Sequence, residues 1–494
     1  MRKNVLALSI AAMVGGLGFV GSASAALSVA ESGTGHMLLV PYYNAQNGNM
    51  TVFHVVNTDA DKGKAVKVRF RGASNSDDVL DFQVFMSPGD VWTAAVTQGS
   101  DGVAQLVTAD GTCTLPAISK NVPVSFVQDR LPASMSAADK ANNTREGYVE
   151  IFNMADIDNA KTYGTPATNA PLYTAIKHVN GVAPCTDSVL QGTLTTEAST
   201  PGLLPPTDGL TGSWYIINVP QTTTFSGAAA AIISSGATAT NNVFSAQSTG
   251  GATLLSADPL FKTGILTAQK YDVPDLSTPY DTDYATAEEQ ATALTAALAH
   301  SAVINQYAND ASITAKTDWV FSMPTRRYSI AANYKATVGS GFLTTAGYGA
   351  ATAAEKAAAY RVINSGVTSF FATDTNTSVN AIGQICASSV NTTFFDREET
   401  FKTSGAVFSP GTVSQTPLCG EVSVLSFADS GASVLGASVA RANVASGTYM
   451  NGWGSIGFSA PVPVLGAAFI KLSNPSASAG TSGTYGITWP HAYK

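Results

Sequence analysis

Between Gly35 and Gln98 the chain alternates apolar and polar residues in short runs, and a period of two over such lengths admits strands and little else. The runs are Met37 to Tyr43, Met50 to Val56, Ala65 to Arg71, Val79 to Phe85 and Val91 to Val96, all rich in Val, Phe and Tyr. Turn formers separate them at Asn47-Gly48, Asp59 to Gly63, Ser74 to Asp78 and Pro88 to Asp90. This spacing predicts a mainly β protein built on an antiparallel β-sandwich, immunoglobulin-like or jelly-roll-like. In the third run Val66, Val68 and Phe70 alternate with Lys67, Arg69 and Arg71, so one face is expected in a core and the other in water. Gly147 to Phe152 and Trp214 to Val219 continue the theme. A first β-rich unit is therefore placed over residues 26–250, with a long irregular insertion at about 156–211.

The middle of the chain changes character. Thr286 and Glu289 form a capping-box pair ahead of a segment in which Leu294, Leu298 and Ala302 share a helical face, which predicts a helix over 286–308. A second pair, Thr352 with Glu355, leads towards a stop at Gly366 and predicts a helix over 353–364. Trp319 to Met323 and Tyr328 to Tyr334 read as strands split by Pro324, with Arg326-Arg327 as an exposed basic pair. Glu421 to Phe427 and Ile456 to Leu472 return to strands, so a second β-rich unit spans 251–494 with a helical insertion at about 286–364. Pro461 and Pro463 interrupt the apolar stretch from Ser455 to Leu472, which fits edge strands with an irregular join better than a spanning helix. The helical middle and the polar insertion also disfavour a transmembrane barrel.

Arg2 and Lys3 precede an uncharged run from Val5 to Val20, and Ala23-Ser24-Ala25 follows. That is the order of a secretory leader, here residues 1–25, removed before Ala26, so the mature chain is expected outside the cytoplasm and not spanning a membrane. An even number of cysteines in an exported chain reads as disulfides, and nearest-neighbour pairing gives Cys113 with Cys185 and Cys386 with Cys419. Only 12% of residues are charged and the formal net charge is -8, which argues against nucleic acid or anionic lipid as partners.

Searching for chemistry returns little. Gly452, Gly454 and Gly457 match a dinucleotide fingerprint, but prolines follow instead of a helix, so a turn is expected. Neither a P-loop nor a nucleophile elbow occurs, and histidines 36, 54, 178, 300 and 491 are scattered. No catalytic residue is assigned and an enzyme is not expected. Asn57, Asp59 and Asp61 approach an EF-hand start, yet Gly63 falls one place late and Val68 stands where the last ligand belongs. Three carboxylate groups remain as candidate calcium ligands: Asp59 with Asp61, Asp77 and Asp78 with Asp81, and Asp281 with Asp283 beside Asp272 and Asp275. Ordinary turn formation accounts for the same residues.

Gly35-His-Met-Leu-Leu-Val-Pro-Tyr-Tyr43, Val55-Val-Asn-Thr-Asp59, Ala65 to Ala73, Ser76 to Phe82 and Ser87-Pro-Gly-Asp-Val-Trp92 together resemble exported bacterial cell-surface proteins of surface-layer type. The likeness returns at Thr317-Asp-Trp-Val320, Pro324-Thr-Arg-Arg-Tyr328, Leu472-Ser-Asn-Pro475, Gly480-Thr-Ser-Gly483 and Trp489-Pro-His491. The resemblance implies a structural protein of the cell envelope that associates with copies of itself and with envelope components. It brings no catalytic residues. The alternative is a secreted binding module or adhesin recognising glycan or matrix.

Overall fold

The structure, a computed structural model, describes residues 27–159, 171–193, 203–234, 271–272, 287–334, 342–344, 350–358, 361–363, 377–380, 382–387, 390–398, 417–427, 433–444, 450–478 and 481–494. In its first half the strands are β1 (Leu27–Val29), β2 (Met37–Asn44), β3 (Asn49–Asn57), β4 (Gly63–Gly72), β5 (Asp78–Met86), β6 (Val91–Gln98) and β7 (Ala104–Val107). They continue with β8 (Cys113–Leu115), β9 (Val124–Ser125), β10 (Glu146–Ile157), β11 (Leu203–Leu204), β12 (Leu210–Asn218), β13 (Thr223–Ala228) and β14 (Ala230–Ser234).

These strands form two facing sheets, in the orders β1-β14-β2-β10-β4-β5-β8, with β11 on β10, and β13-β12-β3-β6-β7-β9. Every pairing in both is antiparallel. The expected sandwich is present, and its strands β2 to β6 fall on the five period-two runs. Asn47 and Gly48, at φ 53° and 80°, are the centre of a tight turn closed by Asn49 N donating to Gln46 O at 2.9 Å, which carries the chain from β2 in one sheet to β3 in the other. Val66, Val68 and Phe70 face Leu38, Val40, Phe53 and Ile151 in the shared core.

Strands of the second half are β15 (Tyr271–Asp272), β16 (Ala299–Ala308), β17 (Lys316–Ser322), β18 (Ile330–Asn333), β19 (Phe342–Thr344), β20 (Arg361–Ile363), β21 (Thr377–Val379) and β22 (Ile385–Ala387). After them come β23 (Val390–Asp396), β24 (Val422–Phe427), β25 (Arg441–Asn443), β26 (Asn451–Pro463), β27 (Leu465–Ser478), β28 (Thr481–Pro490) and β29 (Ala492–Tyr493). A sheet ordered β25-β24-β17-β27-β28 packs on one ordered β23-β26-β16-β29. Trp319, Phe321, Leu425, Phe427 and Ala468 meet Val303, Tyr307 and Ile456 between them. The opposite face of the first of these sheets, through Val320, Val422, Val424, Ala467 and Phe469, joins the core of the first sandwich. Strands β17 and β24 are thus buried on both sides, which is why Trp319-Val320-Phe321 is apolar without alternation.

Four expectations are corrected. The helix predicted over 286–308 ends at Ala297 as α4 (Ala287–Ala297), once α1 (Ala137–Asn143), α2 (Pro171–Ile176) and α3 (Asp187–Gly192) are counted, and β16 begins at Ala299. From there Val303, Asn305 and Tyr307 alternate with their neighbours as a strand requires, and their pairing with β26 outweighs helix propagation. The helix from Ala353 stops at Ala358, because Arg361–Ile363 pairs with β18 and β19, although its capping box is intact: Thr352 N donates to Glu355 Oε2 at 2.8 Å and Glu355 N to Thr352 Oγ1 at 3.2 Å. Gly452, Gly454 and Gly457 lie within β26 and form no turn. A side chain at Gly454 would strike the Phe394 ring, so absence of a Cβ permits close packing there. Finally, β26 and β27 are interior strands with neighbours on both sides, not edges, although the join at Val464 is irregular as expected.

Candidate functional site

The outer face of the eight-stranded sheet overturns the expectation that Lys67, Arg69 and Arg71 meet water: each is at most 1% exposed. Two apolar clusters flank this face. On one side α2 and α3 cover Ala65, Phe85, Met154 and Ala155 through Leu172, Ile176 and Leu190. On the other, Ala291, Leu294 and Leu298 of α4 and Tyr328 cover Met37, Leu39 and Phe152. Disulfide Cys113–Cys185 ties β8 to the segment carrying α2 and α3, and Cys386–Cys419 closes the second half, so both pairings follow the nearest-neighbour expectation.

Between those clusters runs an ionic row. Strand register sets Glu150 opposite Arg69, and Arg69 opposite Asp81. Arg69 Nε lies 3.8 Å from Asp81 Oδ2, and Arg71 Nε donates to Glu150 Oε2 at 3.3 Å. Above them the turn Arg326–Ser329 delivers Arg327, whose Nη2 donates to Glu150 Oε1 at 2.9 Å and to Oε2 at 3.1 Å. Its guanidinium also sits 4.5 Å from the Tyr328 ring centroid. Arg326 Nη2 donates to Cys386 O at 3.0 Å. The expected exposed basic pair is therefore buried, because Glu150 and a carbonyl supply the acceptors that water would have supplied.

Burial sets the electrostatics. It pushes Lys67 down to about 7, with Arg69 adding and Asp81 opposing, and it pushes Arg69 down to about 10 against the pull of Asp81. Burial acts on Arg327 in the same direction, but Glu150 and the neighbouring tyrosines outweigh it and hold the guanidinium charged well beyond its ordinary range. A lysine near 7 has the basicity of a general base. At 0% exposure, however, Lys67 has no opening through which a substrate could reach it. The row acts as an electrostatic clamp between the first sandwich and the second half.

A second clamp lies at the loop 433–440. Glu146, fully buried, accepts from Ser438 N at 2.7 Å, Gln46 Nε2 at 2.9 Å and Tyr42 Oη at 3.1 Å. Asp318 accepts from Leu435 N at 3.0 Å and from the Ser433 hydroxyl, while Asn44 and Asn49 donate to Leu435 O at 2.9 and 2.6 Å. Burial raises the carboxyls of Glu146 and Asp318 above their usual range despite these bonds.

The candidate calcium ligands are dispersed. Asp59 Oδ1 accepts from the backbone of Asp61 and Lys62 at 2.9 and 3.0 Å, an Asx turn. Asp77, Asp78 and Asp81 are buried, with Asp78 3.6 Å from Arg130 and Asp81 beside Arg69. Asp281 and Asp283 lie outside the described residues. Among the described residues no group of three or more His, Cys, Asp or Glu is placed to hold a metal ion. Ser87, His178 and Asp90 come together without forming a nucleophilic triad. Ser87 Oγ at 3.3 Å and Asp90 Oδ2 at 3.7 Å both approach Nδ1, whereas a triad needs one partner on each ring nitrogen. A surface cavity of about 170 Å³, bordered by Gln384, Cys419, Ser438 and Arg441, is smaller than a typical ligand pocket and touches none of the ionic row.

Sequence reasoning missed Glu146, Glu150 and Asp318. For Glu150 a signal existed: Tyr148 and Phe152 share its face of β10, and a carboxylate between two aromatic residues marks a covered strand. Comparison with family models, with curated proteins and with solved structures found no match.

Proposed function

We propose that the protein is an exported structural protein of the bacterial cell envelope, of surface-layer type, that associates with copies of itself. The observation that carries this reading is where the charge goes. Among the described residues six Lys and Arg and eight Asp and Glu side chains are buried. In a chain with only 12% charged residues, that thins the charge on an exterior which also shows exposed apolar residues such as Val219, Met450, Tyr485 and Trp489. Such a surface carries little like-charge repulsion, so copies approach closely and weak lateral contacts accumulate in two dimensions. Two disulfides suit an oxidising compartment, and among the described residues no helix is long and apolar enough to cross a membrane. No catalytic role enters this reading, and calcium would act only as a bridge between carboxylate loops of neighbouring copies. Fractionation of the producing cells, with electron microscopy of the envelope, tests it: regular arrays containing the chain support the proposal, and protein confined to the cytosol with its leader intact refutes it.

A glycan-binding role is the second reading, favoured by Trp453. It is 40% exposed on β26, stacks on Phe395 at 4.3 Å and 12°, and stands opposite Gln306. An exposed indole beside an amide offers the stacking face and hydrogen bonds a neutral sugar uses. Saturable binding on a glycan array, lost in Trp453→Ala, would favour this reading over self-assembly.

A further inference from the structure

One buried cluster remains outside both clamps. Lys64 on β4 and Asp156 on β10 are register partners, and Asn153 lies three residues before Asp156 across a bulge. All three side chains are fully buried. Lys64 Nζ donates to Asp156 Oδ1 at 2.7 Å, and Asn153 Nδ2 donates to the same oxygen at 2.8 Å. Asn153 Nδ2 also donates to Thr207 O at 3.0 Å, and the Thr207 hydroxyl donates to Asp156 Oδ2 at 2.7 Å. Asn153 Oδ1 has no hydrogen-bond partner. An orphaned amide oxygen beside a buried amine and carboxyl is a costly resting arrangement and calls for an explanation.

We propose that Lys64 and Asn153 become joined by an intramolecular amide bond, with Asp156 carrying the proton. The step begins with transfer of one proton from the Lys64 ammonium to the Asp156 carboxylate, which it already touches at 2.7 Å. The Lys64 amine then adds its lone pair to Cγ of Asn153, forming the new C–N bond and placing negative charge on Oδ1. Asp156 gives its proton to Nδ2 and takes one from Nζ. The carbonyl re-forms, the Cγ–Nδ2 bond breaks, and ammonia leaves. The acid is regenerated, nothing is oxidised or reduced, and no co-reactant is required. The two nitrogens that exchange places on Cγ rest on one carboxylate oxygen, so the donor and acceptor of each proton are already in contact. On this proposal ammonia leaves on the side of Asp59, which lies 3.6 Å from Lys64 Nζ and is partly exposed. The product would lock β4 to β10 next to the loop that carries Thr207.

Intact mass spectrometry of the purified, reduced and denatured full chain tests this. The expected mass is lower than that of the unmodified chain by one ammonia, with a branched tryptic peptide joining Lys64 to Asn153. Lys64→Arg and Asp156→Ala should each restore the unmodified mass. If either variant fails to fold, the wild-type mass and peptide map still decide the matter. Unmodified mass, with Lys64 and Asn153 recovered in linear peptides, overturns the proposal. Loss of one water with a branch at Asp156 overturns the assignment of Asn153 as the group attacked.

Discussion

Glu150 and Arg327 lie 177 residues apart in the chain and form a buried, two-pronged ion pair at 2.9 and 3.1 Å, with Arg71 sharing the same carboxylate. This contact fastens the turn at Arg326–Ser329 onto the outer face of the first sandwich.

Removing one member of such a pair strands the other in a dry site, at a cost of about 3–5 kcal/mol. Glu150→Gln leaves both Arg71 and Arg327 uncompensated, so it should sit at the upper end of that range, with Arg327→Met at the lower end. Urea denaturation midpoints at constant slope check the order. Equal, small effects from both would mean the pair contributes nothing net.

The second clamp makes stability depend on pH. Burial raises Glu146 and Asp318 above their usual carboxylate values, so over that window the native state binds more protons than the unfolded chain. Their contribution is therefore full below the unfolded values and is lost as pH rises through the raised ones. Glu146→Gln should flatten the fall in unfolding free energy between the acid side and neutrality, measured by denaturant titration across pH.

His491 has the opposite sign. Its Nε2 donates to Val320 O at 2.8 Å and its Nδ1 accepts from Asn305 Nδ2 at 2.8 Å, an arrangement that holds the neutral ring. Burial pushes it down to about 4. Its contribution is present above the ordinary histidine value and is lost as pH falls towards 4. NMR titration should find this ring neutral at pH 6, and Asn305→Asp should move its titration upward.

Phe469 on β27 joins the halves, with its ring 5.4 Å from Phe225, 6.0 Å from Trp214 and 6.4 Å from Tyr42. Phe469→Ala should cost about 3–5 kcal/mol and split a single thermal transition into two. Calorimetry reads both effects.

The strands from β2 to β6 were legible because alternation and turn residues agree over residues 37–98, and local agreement of that kind specifies register. What covers a face is a different matter. Alternation in β4 shows that Lys67, Arg69 and Arg71 share a side, but their covering turn lies more than two hundred residues later, where no local signal refers back to them. Charge alone therefore read as exposure. Helix starts were legible from capping pairs, whereas the ends were not, since the chain leaves α4 for β16 without a Gly or Pro to mark the change. The disulfides were legible from chain proximity. Glu146 and Asp318 were not, because their partners lie in a loop that tertiary packing brings to them.

Self-association through a charge-poor exterior is proposed for this chain, and its dependence on salt tests it most directly. Sedimentation velocity of the purified chain, from 0.05 to 1 M salt and with or without calcium, should show large assemblies that persist at high salt, because charge screening over roughly 3–10 Å leaves apolar and neutral polar contacts intact. A monomer under every condition would contradict the account.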